Sequence, residues 1–102
     1  MYGPEPAGHW TSSTAPNCGR SYDLFSAGHR YRVIKPFKDY DGDEHPVGEE
    51  WTFLGYSFAH YDDGLSLFVS LDGAGEWQIR LQGDPDAQGH VRQHFEEHFV
   101  QV

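Results

Sequence analysis

The chain predicts a mainly β (α+β) fold: a small curved antiparallel sheet or SH3-like barrel with one C-terminal helix. Three observations predict it. Between residues 29 and 82, short runs of aromatic and β-branched residues alternate with Asp/Gly/Pro clusters, the signature of strands and tight turns. Those turn clusters follow one another at spacings of about 8–12 residues, as sequential hairpins require. After Gly83 the apolar period changes, and Val91, Phe95 and Phe99 recur at every fourth position, which is one stripe of a helix.

With 102 residues the chain is long enough for one modest core and not for two. Residues 1–21 are expected to be a flexible N-terminal arm, because MYGPEPAGHWTSSTAPNCGR is rich in Pro, Gly, Ser and Thr without periodicity. Tyr2 or Trp10 alone could tie it down. Residues 22–102 then form a single small β domain with its helix. The segment His29 to Lys35 puts Tyr31 and Val33 on one face and Ile34 on the other. Pro36 ends that strand, since proline lacks the ladder N–H. The run DYDGDEHPVGEE is a long acidic loop full of turn formers. Trp51 to Phe58 is the next strand, with Trp51 and Phe53 facing one way and Leu54, Tyr56 and Phe58 the other. Asp62-Asp63-Gly64 makes a hairpin turn into Leu65 to Leu71, where Leu65, Leu67, Val69 and Leu71 face inward and Ser66 and Ser70 outward. Asp72-Gly73-Ala74-Gly75 turns again, and Trp77, Ile79 and Leu81 then alternate with Glu76, Gln78, Arg80 and Gln82. Trp77 is expected to be fully buried. Asp84 or Asp86 can cap a helix of about 12 residues starting near Ala87, and a helix that short must dock on the sheet.

The run VIKPFKDYDGDEHPVGEEWTFLGYSFAHYDDGLSLFVSLDG, continuing into EWQIRLQ, resembles an uncharacterised bacterial family, the domain of unknown function 3601. The resemblance covers roughly residues 29 to 99 and rests on the DYDGDEHPVGE loop and the GLSLF hairpin occurring together and in order. It implies a compact bacterial domain. It implies no activity and carries over no catalytic residue.

Composition narrows the function classes. The formal net charge is −9, from sixteen acidic against seven basic residues. That argues against nucleic acid, whose phosphates need clustered Lys and Arg; here Arg20, Arg30, Arg32 and Arg80 are scattered among carboxylates. No apolar run approaches the ~20 residues of a membrane span, and the N-terminus lacks the basic start and apolar stretch of a signal peptide. A single cysteine, Cys18, supports no disulfide framework, so the expected location is the cytoplasm. Cys18 has no base fixed beside it by sequence and is expected to be a bystander thiol.

Three constellations invite chemistry. Asp39, Asp41, Asp43 and Glu50 fall at positions 1, 3, 5 and 12 of a calcium loop, but the position that turns sharply is Glu44 where glycine is needed. The loop is expected instead to be a turn whose Asp side chains bond their own backbone. His94-Phe95-Glu96-Glu97-His98 matches H-x-x-E-H, yet the sequence continues only four residues past His98 and offers no downstream third ligand. His90, His94 and His98 form a row at i, i+4 and i+8 with Glu97 beside it. They are the weak candidates for a metal in a chain otherwise expected to hold no cofactor and no high-affinity metal. No Ser/His/Asp set, phosphate loop or C-x-x-C pair is present in the sequence.

The leading expectation is therefore a non-catalytic binding module for a protein or peptide partner. Its contact face is the acidic, aromatic loop: Asp39, Tyr40, Asp41, Asp43 and Glu44 with Tyr61, the carboxylates selecting a basic partner. The alternatives are an acidic inhibitor or immunity-type protein that neutralises a basic enzyme, and a metal-binding protein using the histidine row.

Overall fold

The computed structural model describes residues 1–12, 18–58, 64–83 and 88–102. A six-stranded, wholly antiparallel sheet dominates it. The strands in chain order are β1 (Tyr2–Pro6), β2 (Ser21–Tyr22), β3 (Phe25–Ser26), β4 (Arg30–Val33), β5 (Phe37–Lys38), β6 (Glu44–His45), β7 (Glu50–Phe58), β8 (Leu65–Ser70), β9 (Gly75–Leu81) and β10 (Phe99–Gln101). Two short helices, α1 (Gly89–Gln93) and α2 (Phe95–His98), precede β10. The main sheet runs β1-β9-β8-β7-β4-β10, and β2–β3 and β5–β6 are small hairpins beside it. The sheet stays open, with β1 at one edge and β10 at the other, so the antiparallel sheet holds and the barrel does not.

Alternation sets the inward face where the sequence placed it. Tyr31 and Val33 are buried on β4 while Arg30 and Arg32 are exposed. Trp51 and Phe53, Leu65, Leu67 and Val69, and Ile79 and Leu81 join them in one core. The centre of that core is Phe25. Its ring lies 4.9 to 5.7 Å, centroid to centroid, from those of Tyr31, Trp51, Phe53, Phe95 and Phe99, in the tilted, stacked and edge-on geometries that aromatic quadrupoles favour.

Four expectations are corrected. The first concerns the arm, much of which is structured. β1 pairs with β9, Tyr2 opposite Gln78 and Pro6 opposite Gly75, and Trp10 stacks on Phe68 at 5.4 Å. Composition predicted mobility, but a ready sheet edge and an aromatic ring on the reverse face give this segment something to bury against. Second, that reverse face is covered: Phe68, Ser70 and Glu76 are buried where β8 and β9 were expected to face outward. The Glu76 carboxylate accepts from Gly8 N (2.7 Å), Trp10 N (2.9 Å) and the Thr11 hydroxyl. Burial opposes its ionisation, but these donors outweigh it and hold the carboxyl below its usual range. Third, Trp77 is only partly buried.

The fourth correction is at the C-terminus. The expected single helix is two, broken at His94 (φ −138°, ψ 50°). Phe99 leaves the helix for β10 and pairs with Val33. The stripe survives, since Val91, Phe95 and Phe99 are all buried. A strand end supplies the third position that a helical turn was expected to supply. Asp84 and Asp86, the expected caps, and the Asp62-Asp63 turn lie outside the described residues. Phe58 and Leu65, which flank that turn, are paired as a hairpin requires.

Candidate functional site

The acidic loop folds into the β5–β6 hairpin. Asp39 closes it: Asp39 Oδ1 accepts from Asp43 N at 3.0 Å and Asp39 C=O from Gly42 N at 3.0 Å. Gly42 takes φ +90°, a left-handed conformation that suits a residue without Cβ. The loop thus bonds its own backbone, as the turn reading requires.

The loop's carboxylates are deployed unequally. Asp39 is buried, together with His45, which is wholly inaccessible. His45 Nε2 lies 2.8 Å from Asp39 Oδ2 and His45 Nδ1 lies 2.6 Å from Glu49 Oε2. Ionised carboxylates only accept, so both ring nitrogens donate and the ring is an imidazolium. Burial opposes that charge, but the hydrogen bonds and charges of Glu49 and Asp39 outweigh it and raise the histidine pKa. Asp39 is correspondingly lowered: burial opposes its ionisation, and the Met1 amino group, His45 and Asp43 N overcome it. The amino group of Met1 donates to Asp39 Oδ2 at 2.6 Å and to Asp43 Oδ2 at 2.5 Å. Asp41 pairs with the Arg80 guanidinium, which also lies over the Tyr40 ring, 5.2 Å from its centroid.

Of the six residues expected to meet a partner, Tyr40, Asp43 and Glu44 are exposed and grouped on this hairpin. Asp41 is at the surface but engaged by Arg80. Asp39 is interior and holds the hairpin together, and Tyr61 lies outside the described residues. His45 was missed by sequence reasoning. Its signal was available: a long acidic loop needs an internal cation, and His45 sits between Asp39 and Glu49 in sequence as in space.

Beside the hairpin opens a cleft of about 600 Å³. Lys38, Asp39 and Tyr40 line one side, and Gln88, His90 and His98 the other. His98 is buried, and its Nδ1 lies 3.0 Å from the Lys35 carbonyl. A carbonyl only accepts, so Nδ1 carries the proton and Nε2 of the neutral ring is an acceptor. That Nε2 has no hydrogen-bond partner among the described residues. Burial pushes the pKa of His98 below the ordinary histidine value. His90 and His94 stand at the surface beside it, with Glu97. The C-terminal row is thus one buried, one half-buried and one exposed histidine. His29 lies elsewhere, within 2.9 Å of Gln101.

No helix among the described residues is long and apolar enough to cross a membrane. A search of the curated proteins finds no match. Among solved structures, the chain is similar to an integron cassette protein, VCH_CASS4, from the mobile metagenome of Vibrio cholerae. The two are 33% identical over 83% of this chain and 93% of that one, with a TM-score of 0.78. The model of the family described as Domain of unknown function (DUF3601) matches residues 13–102, taking in the hairpin, the cleft and both helices. The chain belongs to that family.

Proposed function

We propose that this protein is a non-catalytic binding module that receives a segment of a protein or peptide partner in the cleft between the β5–β6 hairpin and the α1–α2 helices. One observation carries the reading: the cleft is lined in part by His98, whose buried Nε2 has no hydrogen-bond partner among the described residues. An unpaired buried acceptor costs about 1–3 kcal/mol, and a partner's N–H or O–H inserted there removes that cost. The rim supports the same reading. Tyr40 offers an exposed ring, and Glu44 adds negative charge to a chain of net charge −9. A basic partner is therefore drawn to this side and oriented before contact. In this reading the module works in the cytoplasm, where its one cysteine stays a thiol.

The test is partner capture from the native host with the wild-type chain and a Tyr40→Ala/Glu44→Lys double variant side by side, followed by an NMR titration with the captured partner. The expected result is capture lost in the variant, with shifts mapping to residues 37–45 and 88–98. Shifts confined to the opposite face of the sheet, or equal capture by both chains, would overturn the reading.

A further inference from the structure

The Asp39-x-Asp41-x-Asp43 spacing that resembles a calcium loop already holds a cation, and that cation is the chain's own. The Met1 ammonium lies 2.6 Å from Asp39 Oδ2, 2.5 Å from Asp43 Oδ2 and 3.8 Å from Asp41 Oδ2. Three carboxylates at alternate positions thus converge on a group with N–H donors and no acceptor, as an ammonium requires. Calcium would take about six to eight oxygens. The fourth carboxylate of the calcium pattern, Glu50, is drawn away and pairs with Arg30 and Arg32.

The strand order brings the ammonium there. β1 runs along β9 with Tyr2 opposite Gln78, which carries Met1 toward Arg80. The hairpin meets β9 at the same place: Tyr40 N donates to the Arg80 carbonyl at 2.8 Å, and the Arg80 guanidinium pairs with Asp41. Asp39 is interior, and its Oδ2 is shared between the Met1 ammonium and His45 Nε2. Burial opposes the charge on the amine, but the hydrogen bonds and charges of Asp39 and Asp43 outweigh it and raise its pKa above the ordinary 8.0.

We propose that Asp39, Asp41 and Asp43 form a binding site for a primary ammonium, filled by Met1, and that this contact latches the N-terminal strand onto the β5–β6 hairpin. The latch needs a free amine on Met1. An acyl group there, or a residue joined ahead of it, removes the positive charge and leaves a single amide N–H for three carboxylates. Unlatched, the hairpin keeps its contacts with Arg80 and His45 but loses its tie to β1, and its carboxylates lose charge-assisted hydrogen bonds. The device concerns the hairpin itself and stands without the partner-binding reading, in which the hairpin is one wall of the cleft.

Ligation at Cys18 supplies the two full chains the test compares: a synthetic 1–17 thioester peptide, with or without an Nα-acetyl group, is joined to residues 18–102 and refolded. Amide exchange is read at Asp39 and Asp43, whose N–H groups bond the Asp43 carbonyl and Asp39 Oδ1. Gly19 and Tyr56, bonded to each other elsewhere on the sheet, serve as the reference. Acetylation should accelerate Asp39 and Asp43 about tenfold or more, the worth of one charge-assisted hydrogen bond, and leave Gly19 and Tyr56 unchanged. Asp43→Asn in the free-amine chain alters an exposed side chain. It should accelerate Asp39 as well, with no further effect in the acetylated chain. Equal exchange at Asp39 and Asp43 in the two chains, acceleration spread evenly over all four amides, or calcium binding to the free-amine chain tighter than about 100 μM would each overturn the latch.

Discussion

His45 is an imidazolium held between two carboxylates inside a domain of 102 residues, so the stability of the β5–β6 hairpin is tied to protonation. Its folded pKa is raised above the ordinary value of 6.5. The stabilisation it gives is fully present below that value and is lost as pH rises through the folded pKa. Asp39 works in the opposite sense. Its folded pKa lies below 3.8, so its contribution is present above that value and lost as pH falls through the depressed one. Urea unfolding should therefore give a midpoint that falls as pH is raised from about 6 to about 9. His45→Gln should flatten that fall and cost about 3–5 kcal/mol at the lower pH, because it leaves buried carboxylates without their cation. A midpoint in the wild type that is constant over this range would show that the ring is neutral. Phe25 offers a second residue-scale prediction. Phe25→Ala should cost about 3–5 kcal/mol, since the ring is wholly buried against five other aromatic rings. Trp77→Ala should cost less than Phe25→Ala, because the indole is only partly buried. Denaturant midpoints for the two variants check the order.

At the scale of elements, β7 is where separate parts of the chain meet. It pairs with β4 and β8, its register slips between Phe53 and Gly55, and Tyr56 makes a bridge to Gly19. Gly55 allows the close approach. A Cβ there would lie 2.8 Å from the Gly19 carbonyl oxygen and 2.9 Å from Cys18 Sγ. Gly55→Ala should push the 18–20 segment off the sheet and cost about 1–3 kcal/mol, and amide exchange at Gly19 and Tyr56, whose N–H groups bond each other's carbonyls, should accelerate. Unchanged exchange at those two amides would mean that the segment accommodates the methyl. The same strand shows why half of its side chains were legible. Trp51 and Phe53 follow simple alternation into the core, whereas the burial of Leu54 and Tyr56 depends on what packs over the other face.

For the whole molecule, the strand order puts β1 and β10 on the two open edges of the main sheet. β1 therefore caps β9, and the following turn covers Phe68 and satisfies Glu76. Removing residues 1–12 should leave a long unpaired strand, an exposed ring and a buried carboxylate without donors. The expected outcome is a thermal midpoint lower by about 8 °C or more, taking a loss of about 2 kcal/mol in a domain of this size, together with concentration-dependent self-association through the bare β9 edge. Size-exclusion chromatography and a thermal melt measure both. A truncated chain that stays monomeric with an unchanged midpoint would return these residues to the dispensable arm their composition suggests.

The sequence by itself determined the strands with clean period-two alternation, their inward faces, the turns at Gly42 and Gly73, and the apolar stripe of Val91, Phe95 and Phe99. These depend on side-chain polarity and local backbone preference, which act over a few residues and are written in order along the chain. It also determined the family, through the loop and hairpin motifs. Tertiary structure alone decided that Trp10 covers Phe68, that Phe25 centres the core and that the helix breaks at His94. It alone brought His98 into a cleft beside the hairpin. Each of these rests on contacts between segments remote in sequence or on a choice of partner among several possible ones, and local periodicity carries no information about which surface a segment will meet.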